Sequence, residues 1–252
     1  MNAAGAALRL RVFEHDVVDS TSERAFEELA AGRARHGDVH IAREQTAGRG
    51  RRGASWASAR DLGLYASVVL RPTRPVHPAA LTIGAGLATL EAARDLGALD
   101  ARLKWPNDVL VGAAKLAGIL VETRGLDLAA PHYVVGVGLN VRQRDFPAEL
   151  LAQRAVTSLA LCGVECTLER ARETLLTRLA SRLEQAVAEA PRLCADYVAA
   201  TQFAGHVLEV ECGEEHVAGV FVELTLRGLV VRTAEGLERR CALEHVRAVR
   251  IV

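Results

Sequence analysis

Aromatic residues are scarce in this chain of 252 residues, at 4%, and methionine occurs once. The hydrophobic half of the composition is therefore carried by aliphatic side chains. That is enough core for one elaborate α/β domain, or for a large domain with a small one attached. A charge surplus is also missing: Lys+Arg and Asp+Glu each number 31. A protein that holds nucleic acid mainly through charge carries a basic excess, so any basic site here must be local. No run of about 18 apolar residues could span a membrane. The N-terminal "MNAAGAALRLRVFEHD" lacks the apolar core of a signal peptide. A cytoplasmic protein without membrane attachment is expected.

The five cysteines, Cys162, Cys166, Cys194, Cys212 and Cys241, include no C-x-x-C pair. Cys162 and Cys166 have no histidine close by, so buried reduced thiols are expected rather than a metal site or a disulfide. The phosphate loop G-x-x-x-x-G-K-[ST] and the nucleophile elbow G-x-S-x-G are both absent. An ordinary P-loop enzyme and a serine-elbow hydrolase are thereby excluded.

Periodicity gives the organisation of what is present. Residues 8–19 alternate as a strand, and "STSERAFEELAAG" reads as a capped helix stopped at Gly32. Ser20 and Glu23 have the spacing of a capping box. "GDVHIARE" and "LGLYASVVLRP" are strands, and Pro78 to Gly97 has helical spacing. Strand-like pieces follow in "ARLKWPNDVLV", "KLAGILVETR" and "HYVVGVGLNV", then a long amphipathic helix over 167–190 and a further short helix after Pro191. From about Ala204 the chain changes to short alternating strands with turns at Cys212-Gly213, Arg227-Gly228 and Glu235-Gly236. A small β-barrel is expected there. The expected units are a mixed α/β domain over 1–202 and a small all-β domain over 203–252.

Five stretches can carry chemistry. From Arg43 to Arg60 there are five arginines and one glutamate, with Gly48, Gly50 and Gly53 freeing the backbone. Main-chain N–H groups and arginine forks both suit phosphate oxygens. Alone, such a stretch is also an ordinary solvated basic loop. "KWPNDVLV" offers a cation, an amide and a carboxylate; Asp108 could hold Mg²⁺ beside phosphates, or Asn107 and Asp108 could simply bond their own turn. "KLAGILVE" begins with one lysine, Lys115, and Gly118 leaves room for a ligand; a lysine snorkelling to solvent is the plainer alternative. "GVGLNV" lacks the third glycine of a dinucleotide fingerprint. It fits a glycine strand lining a flat ligand, with Asn140 as a polar handle, or merely tight packing. The hydroxyls at the start of "DSTSERAFE" can cap a helix or meet a polar ligand head.

In this order and spacing, "GRGRRG" with Trp56, "KWPNDV", "KLAGILVE" and "GVGLNV" resemble the biotin protein ligase family from about Val12 to the C-terminus. The resemblance implies an α+β fold: a mixed sheet flanked by helices, class II synthetase-like, with a C-terminal SH3-like β-barrel. It implies formation of biotinyl-5′-AMP from biotin and ATP with Mg²⁺, then transfer of biotin to a lysine of a biotin carboxyl carrier domain of acetyl-CoA carboxylase or a relative. Carried over by position, Ser20, Thr21, Ser22 and Gln45 face the ureido head, and Arg49, Gly50, Arg51, Lys115 and Gly118 complete the biotin site. Arg49, Arg51, Arg52, Trp56, Asn107, Lys115 and Asn140 serve ATP and the adenylate, with Lys115, Arg51 and Asp108 catalytic. Asp108 is either a Mg²⁺ ligand or a helper for the acceptor amine, which at a pKa of about 10.4 is almost wholly protonated at neutral pH.

Three departures from the family pattern stand out: Ser22 in place of Asn, Ala54 in place of Arg, and only Val156 where a large aromatic often caps adenine. The catalytic pattern begins within a dozen residues of Met1, so a ligase without a DNA-binding repressor domain, monomeric or homodimeric, is expected. Three rivals remain open: a lipoate–protein ligase, with the same fold and adenylate chemistry, a nucleic-acid-binding module built on the arginine loop, and a non-catalytic binding protein that kept the fold.

Overall fold

The computed structural model describes residues 8–125 and 127–252. The main sheet has seven strands: β1 (Arg11–Val18), β2 (Asp38–Gln45), β3 (Gly63–Leu70), β4 (Ala101–Lys104), β5 (Asp108–Val111), β6 (Ala114–Glu122) and β7 (Tyr133–Asn140). Their order is β1-β2-β3-β7-β6-β5-β4. β1 and β2 run parallel, and every other neighbouring pair is antiparallel. The parallel pair requires a crossover, which helix α1 (Thr21–Ala30) supplies. The strand-like piece around Trp105 divides at its proline: the Trp105-Pro106-Asn107 turn folds β4 back on β5.

One face of the sheet packs on α2 (Pro78–Asp95) and, beneath it, α4 (Leu168–Ala188). Helix α2 is buried nearly all round from Ala80 to Ala93, as expected of a helix between two layers. A Cβ on Gly84 would lie 2.9 Å from the carbonyl of Arg182, so glycine there lets α2 and α4 approach. The other face meets α1, where Ala25 and Phe26 pack on Val69 and Val134. A short helix, α3 (Ala148–Gln153), was not legible in the sequence. Helix α5 (Ala190–Thr201) carries Pro191 within its first turn rather than starting after it.

The C-terminal segment forms β8 (Val207–Cys212), β9 (Glu215–Thr225), β10 (Gly228–Arg232), β11 (Glu238–Cys241) and β12 (Val246–Ile251), all antiparallel. Their order is β11-β10-β9-β8-β12, and among the described residues β11 and β12 do not pair. The expected barrel is therefore an open SH3-like sheet rather than a closed cylinder. One apolar core runs from Leu8 and Val39 through α2 and α4 to Leu208 and Val249. The buried Trp105 indole donates to the carbonyl of Val246 at 3.1 Å, joining the two sheets. All five cysteines are free. Among the described residues no helix is long and apolar enough to cross a membrane.

Candidate active site

Strand register builds the floor of a cavity. Tyr65, Gly138, Gly118 and Asp108 sit side by side across β3, β7, β6 and β5, and Ser67 and Gly136 form the next row. Glycines in the middle leave a trough between the neighbouring side chains. The N-terminus of α1 closes one end and the Gly48–Trp56 loop covers the top. The cavity has a volume of about 180 Å³ and is open on one side to solvent.

The α1 end is neutral and polar. Ser20, Thr21, Ser22, Ser67 and Ser58 are all buried. The Thr21 hydroxyl is 2.7 Å from that of Ser67, and Ser22 Oγ is 3.0 Å from Ser67. The Thr21 amide donates to Gln45 Oε1 at 2.9 Å, and Gln45 Nε2 donates to Ser58 Oγ at 2.7 Å. Ser20 caps α1 by accepting from the Ser22 amide at 3.3 Å. The reciprocal capping box is not formed, because the Glu23 carboxylate is taken by Arg49 and Arg124.

The opposite end is charged. Lys115 and Gly118, three residues apart, would face opposite sides of a regular strand. A register shift between β5 and β6 places Val109 opposite Ala117 and Leu110 opposite Lys115. This bulge turns Lys115 onto the cavity face, where its ammonium is 2.6 Å from Asp108 Oδ1. Burial pushes the Lys115 pKa down; Asp108 opposes this, and Arg154 and Lys104 add to it. Arg51 reaches across from the loop to donate to Asn107 Oδ1 at 3.2 Å, while Asn107 Nδ2 holds the Ile119 carbonyl at 2.8 Å.

The covering loop is a small hairpin. Gly50 N–H donates to the Ala54 carbonyl at 2.7 Å, and Trp56 N–H to the Gly48 carbonyl at 2.8 Å. Its tip, Arg51–Gly53, is one 3₁₀ turn with Arg52 at φ 55° and Gly53 at φ 77°. The Trp56 indole lies flat against the glycine floor: a Cβ on Gly138 would be 2.3 Å from its Cε2, and one on Gly118 would be 2.9 Å from Cζ3. Lys115 Nζ is 5.3 Å from the indole centroid, a cation–π distance. The flat group expected over the glycine strand is, in this state, Trp56 itself.

The cavity thus gathers Ser20, Thr21, Ser22, Gln45, Arg49, Gly50, Arg51, Trp56, Asn107, Asp108, Lys115 and Gly118. Two expected residues are not brought in. Asn140 is buried beside the cavity with its amide donating to the Thr157 carbonyl at 2.9 Å. Arg52 is exposed at the hairpin tip, outside the lining. Arg49 lines the cavity, but its guanidinium is held by Glu23 and Glu122. Val156 is carried beside Lys115 by a parallel bridge. Ser67, Tyr65 and Arg154 also line the cavity and were missed. For Ser67 a signal existed, since it is the lone small polar residue inside an apolar strand. Among the described residues no group of three His, Cys, Asp or Glu could hold a metal.

A family model described as "Biotin/lipoate A/B protein ligase family" matches residues 14–140. A biotin–[acetyl-CoA-carboxylase] ligase of Mycobacterium tuberculosis is 38% identical over 216 residues, 83% of this chain and 78% of that protein. The bifunctional ligase/repressor BirA of Bacillus subtilis is 37% identical over 159 residues, 60% of this chain and 49% of that protein. The chain thus spans about half the length of three of the BirA relatives it matches, including that of Bacillus subtilis. The structure of a biotin protein ligase from Aquifex aeolicus in complex with biotin and ATP superimposes with a TM-score of 0.77 at 27% identity. That likeness covers 96% of this chain and 99% of that one.

Proposed function

The chain belongs to the biotin/lipoate A/B protein ligase family, and from that premise we propose that it activates biotin as biotinyl-5′-AMP and transfers it to a lysine of a biotin carboxyl carrier domain. The observation that carries this reading is the polarity of the cavity. One end offers uncharged hydroxyls and an amide, from Thr21, Ser22, Ser67 and Gln45, and the other offers Lys115 and Arg51. A ureido ring has donors and an acceptor and no charge, so it matches the first end; a carboxylate and an α-phosphate match the second. The dithiolane of lipoate has no hydrogen-bonding group to offer the hydroxyl end, which disfavours the lipoate reading.

In the first step a biotin carboxylate oxygen attacks the α-phosphorus of ATP, and the bond to pyrophosphate breaks. Two anions must meet. Lys115, beside Asp108 on the floor, and Arg51, above it on the hairpin, supply the opposing charge. In the second step the carrier amine, deprotonated, attacks the acyl carbon; an amide forms, AMP leaves, and the amine's remaining extra proton passes to a base. Asp108 is the carboxylate nearest Lys115 for that role. The hairpin excludes water from the mixed anhydride between the two steps. Mg²⁺ enters as MgATP. Asp108 already faces an ammonium at 2.6 Å, so a resident ion held by this carboxylate does not fit, and the phosphates would supply the ion's ligands.

Biotin-dependent exchange of pyrophosphate into ATP tests the reading. Exchange with biotin and none with lipoate is expected; exchange with lipoate alone would overturn it, and salt-sensitive nucleic-acid binding without exchange would favour the arginine-loop module instead.

A further inference from the structure

On the ligase reading, we propose that Arg49 is the anchor of the covering hairpin rather than a ligand contact, and that Glu23, Glu122 and Arg124 are positioning residues that fix the hairpin's base. Arg49 Nη2 donates to Glu122 Oε2 at 2.6 Å, and Nη1 donates to Glu23. Arg124 Nη1 donates to the other oxygen of Glu23 at 2.8 Å, and its guanidinium lies 4.2 Å from the Phe26 ring centroid. These side chains come from the hairpin, from α1, from the end of β6 and from the loop after it. Arg49, Glu23 and Glu122 are between 25% and 29% exposed, so the network is screened from water more than an ordinary surface pair.

The network is electrically closed: two guanidiniums face two carboxylates. Arg49 therefore has no spare charge for a phosphate, and drawing it away would leave Glu122 without its partner. A guanidinium fork can bridge two acids, which an ammonium cannot do as well. Arg49 also stands opposite Ser55 in the bridge at the base of the hairpin. Beyond it, Gly50 separates this fixed base from Arg51, whose side chain, among the described residues, is tied by the 3.2 Å bond to Asn107. The division of labour follows: Arg49 holds the base, and Arg51 belongs to the tip.

The test compares the full-length protein with Glu122→Gln, Glu23→Gln, the double variant and Arg49→Lys. Two readouts are taken: tryptic cleavage after Arg51 or Arg52 without ligands, and release of AMP from biotin and MgATP without acceptor. Each single Gln variant, and Arg49→Lys, should raise both rates about fivefold, and the double variant more. In the Glu122→Gln and Glu23→Gln variants pyrophosphate exchange should stay within about twofold of the parent and the melting temperature should hardly move. Unchanged cleavage and unchanged AMP release would overturn the anchor. So would loss of exchange in Arg49→Lys with cleavage unchanged, because Arg49 would then be a ligand contact. If the parent shows no exchange with biotin, the ligase reading fails, while the cleavage rates still decide whether Arg49 anchors the hairpin.

Discussion

Lys115 gathers most of the proposed chemistry in a single side chain. It is 12% exposed, paired with Asp108, and held at a pKa below its ordinary value by burial. Its charge must be present when the two anions meet. Lys115→Ala should lower pyrophosphate exchange by about 10²–10³ while circular dichroism and the melting temperature stay near the parent's. The alkaline limb of exchange should fall below the ordinary lysine value of 10.5, because the ammonium form is lost early. Asp108→Asn should move that limb further down, since the carboxylate is what raises the pKa. The same shift has a sign for stability. The folded chain binds this proton less readily than the unfolded chain does, so burial of Lys115 opposes folding at neutral pH. That penalty fades as pH rises from the lowered folded pKa to the ordinary lysine value, and is gone above it.

The sequence made Lys115, Asp108, Arg51 and Asn107 legible because each lies in a short motif whose residue types suit one charged ligand. It could not show that Lys115 faces the cavity, which depends on a bulge set by pairing with β5. Nor could it show the partners of Arg49, which lie 26 and 73 residues away. Local spacing had instead suggested Glu23 as a capping residue.

At the scale of elements, the site is a row of register. Glycines at 118, 136 and 138 were legible as a ligand-facing wall; which group lies on that wall was not. Trp56 does, and Gly138 leaves it no slack. Gly138→Ala should lift the indole off the floor, because a methyl 2.3 Å from Cε2 cannot coexist with it. Steady-state fluorescence of Trp56 should shift to the red, and apparent biotin affinity should fall about tenfold or more, a loss of about 1.4 kcal/mol. An unshifted spectrum with normal affinity would mean that the floor has room the register does not suggest. The same register explains why α3 and Ser67 escaped the sequence reading. One is a six-residue helix without a periodic face, and the other a hydroxyl whose partners, Thr21 and Ser22, arrive only when α1 folds over β3.

The whole molecule depends on how the C-terminal sheet meets the main one. Periodicity marked off the two expected parts, because alternation replaces helical spacing near Ala204. It gave no hint that they share one core, nor that the five strands stay open. Trp105 is the joint: its ring packs edge-on against Tyr197 at 5.8 Å, and its N–H holds the Val246 carbonyl. It also directly precedes Pro106, Asn107 and Asp108, so the joint and the charged end of the cavity are one turn. Trp105→Phe keeps the ring contact and leaves the carbonyl unpaired. It should cost about 1–3 kcal/mol, or roughly 2–4 °C in melting temperature for each kcal/mol. Exchange should weaken with it if the turn is repositioned; loss of stability with full activity would show that joint and site are independent.

Attachment of biotin to a carrier lysine is the activity proposed for this chain. The most direct measurement is the intact mass of a biotin carboxyl carrier domain incubated with the protein, biotin and MgATP. A gain of one biotinyl group on one lysine is expected, dependent on ATP, absent when lipoate replaces biotin, and lost with Lys115→Ala. A carrier that gains no mass while a lipoyl carrier becomes lipoylated, or full biotinylation by the Lys115→Ala variant, would contradict it.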